Sequence, residues 1–449
     1  MPIHYPETVL ESAWARRSGV GIKGAILAAG LGRRLDPLTA HHLPKPMFPL
    51  GGKVPISEVW VRRMVEAGLS EVTFNVCVLK ETIKRHFGSG SKLGIDPGFV
   101  EEDVPSGTLG GVCKQVLGSS ARTLLENETP IPWKPFAGST VIVPSADIVT
   151  NFGAPLLQEM FEIHRRRGAA VSMVVTPIPS ERRGDFGTVL IEGEERRQGP
   201  LSTVGRVSRF IEKDPSSPSV LNNASIYMIE TDLLKTLDGF RTTTAEASAP
   251  FYDFGKHVFP ALLGALPHVT LPRTEYPIWA MRYDGGWFDV GTKRDYLLVN
   301  GEVLDRRIDV PLAYESLPWG YLGTNVSIDF GRVELRAPVA IGNDCVVEPG
   351  TTIGPYAVIG DGWTIETGAE VSHSVLWERY PVFPKDAPEI SVKDRRQIDP
   401  HQIRAVRVRD SIIAGGSIET DMIGKTVQVL EDGTLEVMPI DYVPAGPRA

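Results

Sequence analysis

Gly30 and Gly32 are followed at once by Arg33 and Arg34, and Lys45 stands between two prolines shortly downstream. Glycines carry no Cβ, so backbone N–H groups beside them can close on a polyanion. The arginines and the lysine add fixed positive charge. A residue before proline is biased away from helix, so Lys45 is expected in an extended segment. These residues read as a phosphate cradle. Farther along, Asp147 follows the apolar run TVIVP, and Asp289 closes GGWFD. Carboxylates at strand ends are where α/β sheets meet their ligands. Two of them brought together would suit a Mg²⁺ ion shared with phosphate oxygens.

Other phosphate-binding patterns fail on single positions. A GxGxxG fingerprint needs glycine at 35, where Leu35 stands. The Gly-Lys-Thr at 424–426 lacks the upstream glycine of a P-loop, since position 419 is Glu. Taken alone, Asp147 and Asp289 would each be loop or cap residues, and Glu212 with Lys213 a surface salt bridge. His41, His42, His257 and His373 show no metal-ligand spacing. His373 falls in a repeat that serves acyl transfer with a histidine base in some proteins, but a solvated turn residue is the expectation.

The elements that must hold these residues alternate in type. Ile22–Ala29 reads as a buried strand closed by glycine. Ile56–Ala67 reads as a helix stopped by Gly68, Val72–Val76 as a strand and Glu81–Phe87 as a short helix. Gly107–Gly111 (GTLGG) reads as a second glycine loop, with a helix from about Val112. The strands Thr140–Pro144 and Ala170–Pro177 flank a helix, Pro155–Arg167. Alternation of this kind predicts an α/β fold with a doubly wound, mostly parallel sheet. Closer-spaced strands at Gly187–Glu192, Val204–Glu212 and Ala224–Glu230 predict antiparallel excursions. A helix is expected over Phe251–Leu266 and a strand pair over Ile278–Val290.

From Val339 to Tyr380 the chain reads in sixes: VAIGND, CVVEPG, TTIGPY, AVIGDG, WTIETG, AEVSHS, VLWERY. The third positions are Ile341, Val347, Ile353, Ile359, Ile365, Val371 and Trp377. One apolar residue in six, with frequent glycine, predicts a short left-handed parallel β-helix of three hexads per coil. The expected domains are an N-terminal extension (1–21), a catalytic domain (22–300), a linker (301–324) and the β-helix (325–449) with an insertion at 381–407.

With 449 residues, 42% hydrophobic and 23% charged, the chain can bury more than one core. The net charge of −8 and the lack of a basic run argue against nucleic acid or a membrane surface as partner. Three scattered cysteines suggest neither disulfides nor zinc, and no apolar run reaches the length of a membrane span. A cytoplasmic location is expected.

LAAGLGRRLDPLT with PKPM, the EED and GTLGG runs, FIEKDP with NNASIY, DFGKHVFP and WFDVGTKRDYL lie in this order along the chain. Together they resemble the sugar-1-phosphate nucleotidylyltransferases over about residues 23 to 300 and on through the hexad region. The layout is closest to mannose-1-phosphate guanylyltransferases. The resemblance implies that NTP and a sugar 1-phosphate give an NDP-sugar and pyrophosphate, with Mg²⁺. Arg34 would face the departing β,γ-phosphates and Lys45 the α-phosphate, while Asp147 and Asp289 would hold the metal. Ala28, Ala29, Gly30, Gly32, Arg33, Gly107, Thr108 and Gly110 would line the nucleotide. Lys213 would take the sugar phosphate, with Glu212, Asn223 and Gly187 at the sugar.

GTP with mannose 1-phosphate, or a related sugar or cyclitol phosphate, ranks first. Glucose 1-phosphate with dTTP, UTP or ATP is the alternative, and a non-catalytic regulatory paralogue is the reading from another class. The hexad domain is expected to make a homo-oligomer. Departures from the family pattern (Arg33 for threonine, an extra residue between Thr39 and Pro44, Ala146 before Asp147, Leu109 for alanine, Ser225 for glycine) bear on substrate more than on reaction type.

Overall fold

A computed structural model of the chain describes residues 22–117, 121–122, 131–132, 140–244, 253–266, 276–378, 401–430 and 434–441. The expected N-terminal extension, 1–21, lies outside the described residues. Contacts divide the chain into two compact units. One comprises the described residues up to Gly30 with Trp60–Trp287, the other Leu31–Val59 with Phe288 onward.

The first unit is built on a nine-stranded sheet. Its strands are β1 (Ile22–Leu27), β2 (Glu71–Val76), β3 (Asp96–Glu101), β4 (Thr140–Pro144), β5 (Val171–Pro177), β6 (Gly187–Arg196), β7 (Leu201–Glu212), β8 (Leu221–Glu230) and β9 (Ile278–Tyr283). The order is β5-β9-β7-β6-β8-β4-β1-β2-β3, with β5 also paired to β8. One end is parallel: Gly24 of β1 faces Val72 of β2, and Ile22 faces Thr140 of β4. Helical crossovers enforce this, since a parallel neighbour needs a long return. The expected antiparallel excursions are present, with Gly187 of β6 facing Glu212 of β7 and Ile226 of β8 facing Pro144 of β4. The sheet is therefore mixed, because the links between β6, β7 and β8 are too short for crossovers. Val141, Ile142 and Val143 are all fully buried, as expected of a strand covered on both faces.

One expectation about local structure is corrected. The GTLGG run is not a loop but opens the helix Gly107–Val116. Gly111 is needed there for close approach: a Cβ on it would lie 2.5 Å from Asn75 Nδ2. The helix expected over Phe251–Leu266 is present in its described part, as a wide π turn, Phe254–Val258, that runs directly into the α-helix Phe259–Leu262. Pro260 lacks the N–H that an unbroken α-helical ladder would use there.

In the second unit, three parallel sheets stack through the hexad region. Val339 pairs with Ala357, Val346 with Thr364 and Thr352 with Glu370, each partner one set of three hexads later. Ile341, Ile353, Ile359, Ile365 and Val371 are fully buried and Val347 nearly so. The stack begins at Gly320–Leu322, inside the segment expected as linker, and that strand pairs in parallel with Val339–Ile341. It also continues through Gln402–Ile403, within the stretch expected as insertion, and Arg407–Arg409, which starts at its last residue. Antiparallel neighbours, Glu315–Leu317 and Leu435–Pro439, close the ends of the largest of the three sheets.

The hexad frame slips once. Ala357 pairs with Ser374 and Ile359 with Leu376, so Leu376 occupies the interior place expected for Trp377. The slip is taken up at the turn before Ser374, where His373 has φ 48° and is exposed, as a solvated turn residue should be. Trp377 then falls at the corner held by Gly342 and Gly360 in the two preceding coils. The N–H of Gly342 donates to Ile359 O, that of Gly360 to Leu376 O and that of Trp377 to Ile413 O.

Candidate nucleotide and sugar-phosphate sites

Strand β1 ends at Leu27, and the Ala28 N–H donates to Asn75 Oδ1 at 2.7 Å. Asn75 Nδ2 in turn donates to Glu102 Oε1 at 2.9 Å. The other oxygen of Glu102 accepts from the Ser106 N–H at 2.7 Å and the Ser106 hydroxyl at 2.5 Å. Burial works to raise the Glu102 carboxyl, but the hydrogen bonds from Ser106 and Asn75 hold it below the ordinary glutamate value. The Ala28–Gly30 backbone and the helix bearing Gly107, Thr108 and Gly110 are thus in fixed register. Ala29 is buried, and a Cβ on Gly30 would meet nothing within 4 Å. Asn75 and Glu102 were not singled out in the sequence, though Glu102 lies within the EED run.

Gly32, φ 63°, initiates a single 3₁₀ turn, Arg33–Leu35. The Thr39 hydroxyl lies 2.9 Å from Gly32 O and 2.7 Å from Asp36 Oδ1, closing the segment on itself. Arg33 Nε is buried and has no hydrogen-bond partner among the described residues, whereas the Arg34 side chain is exposed. The guanidinium of Arg34 lies over Gly291, where a Cβ would stand 3.0 Å from its nearest nitrogen. Lys45 is not extended as expected but begins a second 3₁₀ turn, Lys45–Met47. Proline is compatible with a first turn, and the N–H of Met47 donates to Pro44 O at 2.8 Å. Lys45 is buried, and its Nζ lies 3.6 Å from Asp289 Oδ1.

Asp147 belongs to the first unit, just beyond β4, and accepts from the Ser145 hydroxyl at 2.6 Å. Among the described residues no three or more His, Cys, Asp or Glu side chains cluster as a metal cage. The donors expected of Asp147 and Asp289 are carboxylate oxygens, the chemistry suited to a Mg²⁺ ion that completes its shell with water and substrate phosphates.

A second group gathers around Glu212, at the end of β7. Cβ atoms on Gly187 and Gly255 would lie 2.8 and 2.5 Å from Glu212 Oε2, so both glycines make room for this carboxylate. Burial and then the neighbouring Asp253 charge raise its carboxyl above the usual glutamate value. Asp253 caps the next turn, accepting from the N–H groups of Gly255 and Lys256. The Phe254 N–H donates to Thr108 Oγ1 at 2.7 Å, joining this group to the GTLGG helix. Asn223 Nδ2 donates to Tyr227 Oη at 2.7 Å. Lys213 is exposed, with φ 50°. Asp253 and Gly255 were not predicted as site residues; the signal was the DFG run.

The model of the nucleotidyl transferase family matches residues 23–306. The chain belongs to that family. The enzyme is 28% identical over 364 residues to a UTP–glucose-1-phosphate uridylyltransferase of Synechocystis, covering 80% of this chain and 83% of that protein. It is 29% identical over 363 residues to the mannose-1-phosphate guanylyltransferase catalytic subunit beta of Danio rerio, covering 79% and 84%. A mannose-1-phosphate guanylyltransferase of Mycobacterium tuberculosis is 26% identical over 354 residues, covering 78% and 83%. The matched family region takes in every expected site residue. Among the described residues no helix of the enzyme is long and apolar enough to cross a membrane.

Proposed function

We propose that the enzyme joins an NTP and a sugar 1-phosphate into an NDP-sugar, releasing pyrophosphate. A phosphate oxygen of the sugar 1-phosphate attacks the α-phosphorus as the bond from that phosphorus to the bridging β-phosphate oxygen breaks. The sugar phosphate is already an anion, so no general base is needed. Positioning and charge neutralisation supply most of the rate in such transfers. The observation that carries the reading is the Lys45–Asp289 pair, 3.6 Å apart, in a chain of this family whose Arg34 guanidinium lies over Gly291.

In this reading Lys45 neutralises charge at the α-phosphate, and Arg34 with the buried Nε of Arg33 meets the departing phosphates. Asp147 and Asp289 would hold Mg²⁺, which when bound neutralises charge on the phosphate oxygens. Ala28, Ala29, Gly30, Gly32, Gly107, Thr108 and Gly110 line the nucleotide. Lys213 binds the sugar phosphate, with Glu212, Asn223 and Gly187 at the sugar. The three-sheet stack is taken as a left-handed β-helix, and self-association through it is part of the proposal.

GTP with mannose 1-phosphate ranks first, supported by the guanylyltransferase relatives from fish and Mycobacterium. UTP with glucose 1-phosphate is the second reading, supported by the Synechocystis relative. A matrix of NTPs against sugar 1-phosphates, read by pyrophosphate release, tests both. The highest turnover is expected with GTP and mannose 1-phosphate. A maximum with UTP and glucose 1-phosphate would replace that assignment. Nucleotide-sugar binding without release from any pair would favour a regulatory paralogue.

A further inference from the structure

The segment 31–59, which carries Arg34 and Lys45, clusters with the C-terminal stack in one compact unit. The contact runs along one corner of the stack. In successive coils that corner is held by Gly342, Gly360 and Trp377. Gly52, at φ 80° in the turn between Pro49–Leu50 and Val54–Pro55, approaches Gly360 so closely that a Cβ on it would lie 3.2 Å from Gly360 Cα. Beside it, Lys53 pairs with Asp361. Asp361 also accepts from the Tyr314 hydroxyl at 2.8 Å and the Asn343 N–H at 2.8 Å, which fixes the carboxylate.

One coil later the glycine corner is replaced by the indole of Trp377, fully buried yet outside the interior cluster of the stack. The ring packs edge-on against Phe48 at 4.8 Å, three residues beyond Lys45, and lies 5.7 Å from His42. Its Nε1–H donates to Tyr296 Oη at 2.8 Å, and that hydroxyl donates onward to Pro49 O at 2.5 Å. Tyr296 also packs edge-on against Phe48 at 5.3 Å. Tyr296 sits on the helix Lys293–Leu304, which begins shortly after Asp289, the partner of Lys45. The indole and phenol therefore grip the chain just past the Lys45 turn, and the helix ties that grip to Asp289.

Resting on the role proposed for Lys45, we infer that Trp377 and Tyr296 are positioning residues for nucleotidyl transfer. The stack thus sets the position of the Lys45 turn as well as any role it has in assembly. The one-residue slip that turns Trp377 out of the interior is what brings its indole to Phe48 and Tyr296. A buried link of two consecutive hydrogen bonds loses its function when either end goes, because each leaves a polar group unpaired.

The test uses the full chain with Tyr296→Phe, Trp377→Phe, the double variant and Lys45→Ala, each assayed for pyrophosphate release below its melting temperature. Tyr296→Phe keeps the ring, so it remains informative if Trp377→Phe folds poorly. Displacement of a catalytic group by about 1 Å costs up to about 10²-fold, so kcat should fall about 10-fold or more in each single variant, with KM for the sugar 1-phosphate little changed. The double variant should lose no more than the worse single, because both act through one link. Full kcat in Tyr296→Phe with Lys45→Ala inactive would overturn the inference and leave the role of Lys45 standing. So would losses that simply add. Full turnover in Lys45→Ala would overturn the role of Lys45 and the inference with it.

Discussion

Asn75 at the end of β2 and Glu102 just past β3 share a 2.9 Å hydrogen bond, and through it two glycine-bearing segments are held in register. Asn75 takes the Ala28 N–H on one side, and Glu102 takes both donors of Ser106 on the other. Asn75→Ala strips partners from a buried carboxylate and a backbone N–H, which typically costs about 1–3 kcal/mol. Denaturant titration should show that loss, and KM for the NTP should rise more than KM for the sugar phosphate.

The same network predicts a pH dependence. Hydrogen bonds from Ser106 and Asn75 outweigh burial and depress the Glu102 carboxyl in the folded enzyme. A depressed carboxyl contributes stability that is complete above the unfolded value, near 4.5, and is lost as pH falls through the lower folded value. Glu102→Gln should therefore be less stable than wild type at neutral pH, with the gap closing below about pH 4.5. Melting curves across this range measure it, and a constant gap would refute the assignment.

Asp147→Ala and Asp289→Ala should each lower Mg²⁺-dependent pyrophosphate release by about 10²- to 10³-fold, the scale of losing one preorganised charge-stabilising group. For Asp289→Ala, Lys45 also loses its carboxylate neighbour at 3.6 Å. Retained turnover in either variant would refute its part in holding the metal.

Gly187→Ala would push a methyl group toward Glu212 Oε2 and the Phe210 ring. KM for the sugar 1-phosphate should rise about tenfold or more while KM for the NTP holds, for an interaction worth about 1.4 kcal/mol or more. Because burial raises the Glu212 carboxyl, its ionised form is complete only at higher pH than for an ordinary glutamate. If the carboxylate accepts from the sugar, KM for the sugar phosphate should climb as pH falls through that raised value. Glu212→Gln should flatten this profile, and an unchanged profile would remove Glu212 from the sugar site.

Ser225 stands at φ 56°, a left-handed conformation that costs a residue with a Cβ about 1–2 kcal/mol. The glycine usual in the family motif would relieve it. Ser225→Gly should raise stability by up to about 1 kcal/mol, net of the entropy glycine adds to the unfolded chain, as seen in the denaturation midpoint. A loss would mean that the strain is already offset by contacts of the serine hydroxyl, which glycine lacks, such as its hydrogen bond with the Tyr227 side chain.

By itself the sequence determined the signals that are local. Glycine spacing, proline and six-residue periodicity report backbone preference directly, and so the alternating strands, the buried third positions and the family motifs were readable. Side-chain partners across long separations were not. GTLGG became a helix because Glu102 receives both donors of Ser106 at its start and Gly111 admits Asn75. Lys45 became part of a 3₁₀ turn because proline limits the backbone without forbidding a first turn. Trp377 left its expected place because strand pairing, not spacing, sets register, and Ile359 pairs with Leu376. Only the tertiary structure decided that this indole would meet Phe48 and Tyr296, because that contact joins residues far apart in the chain.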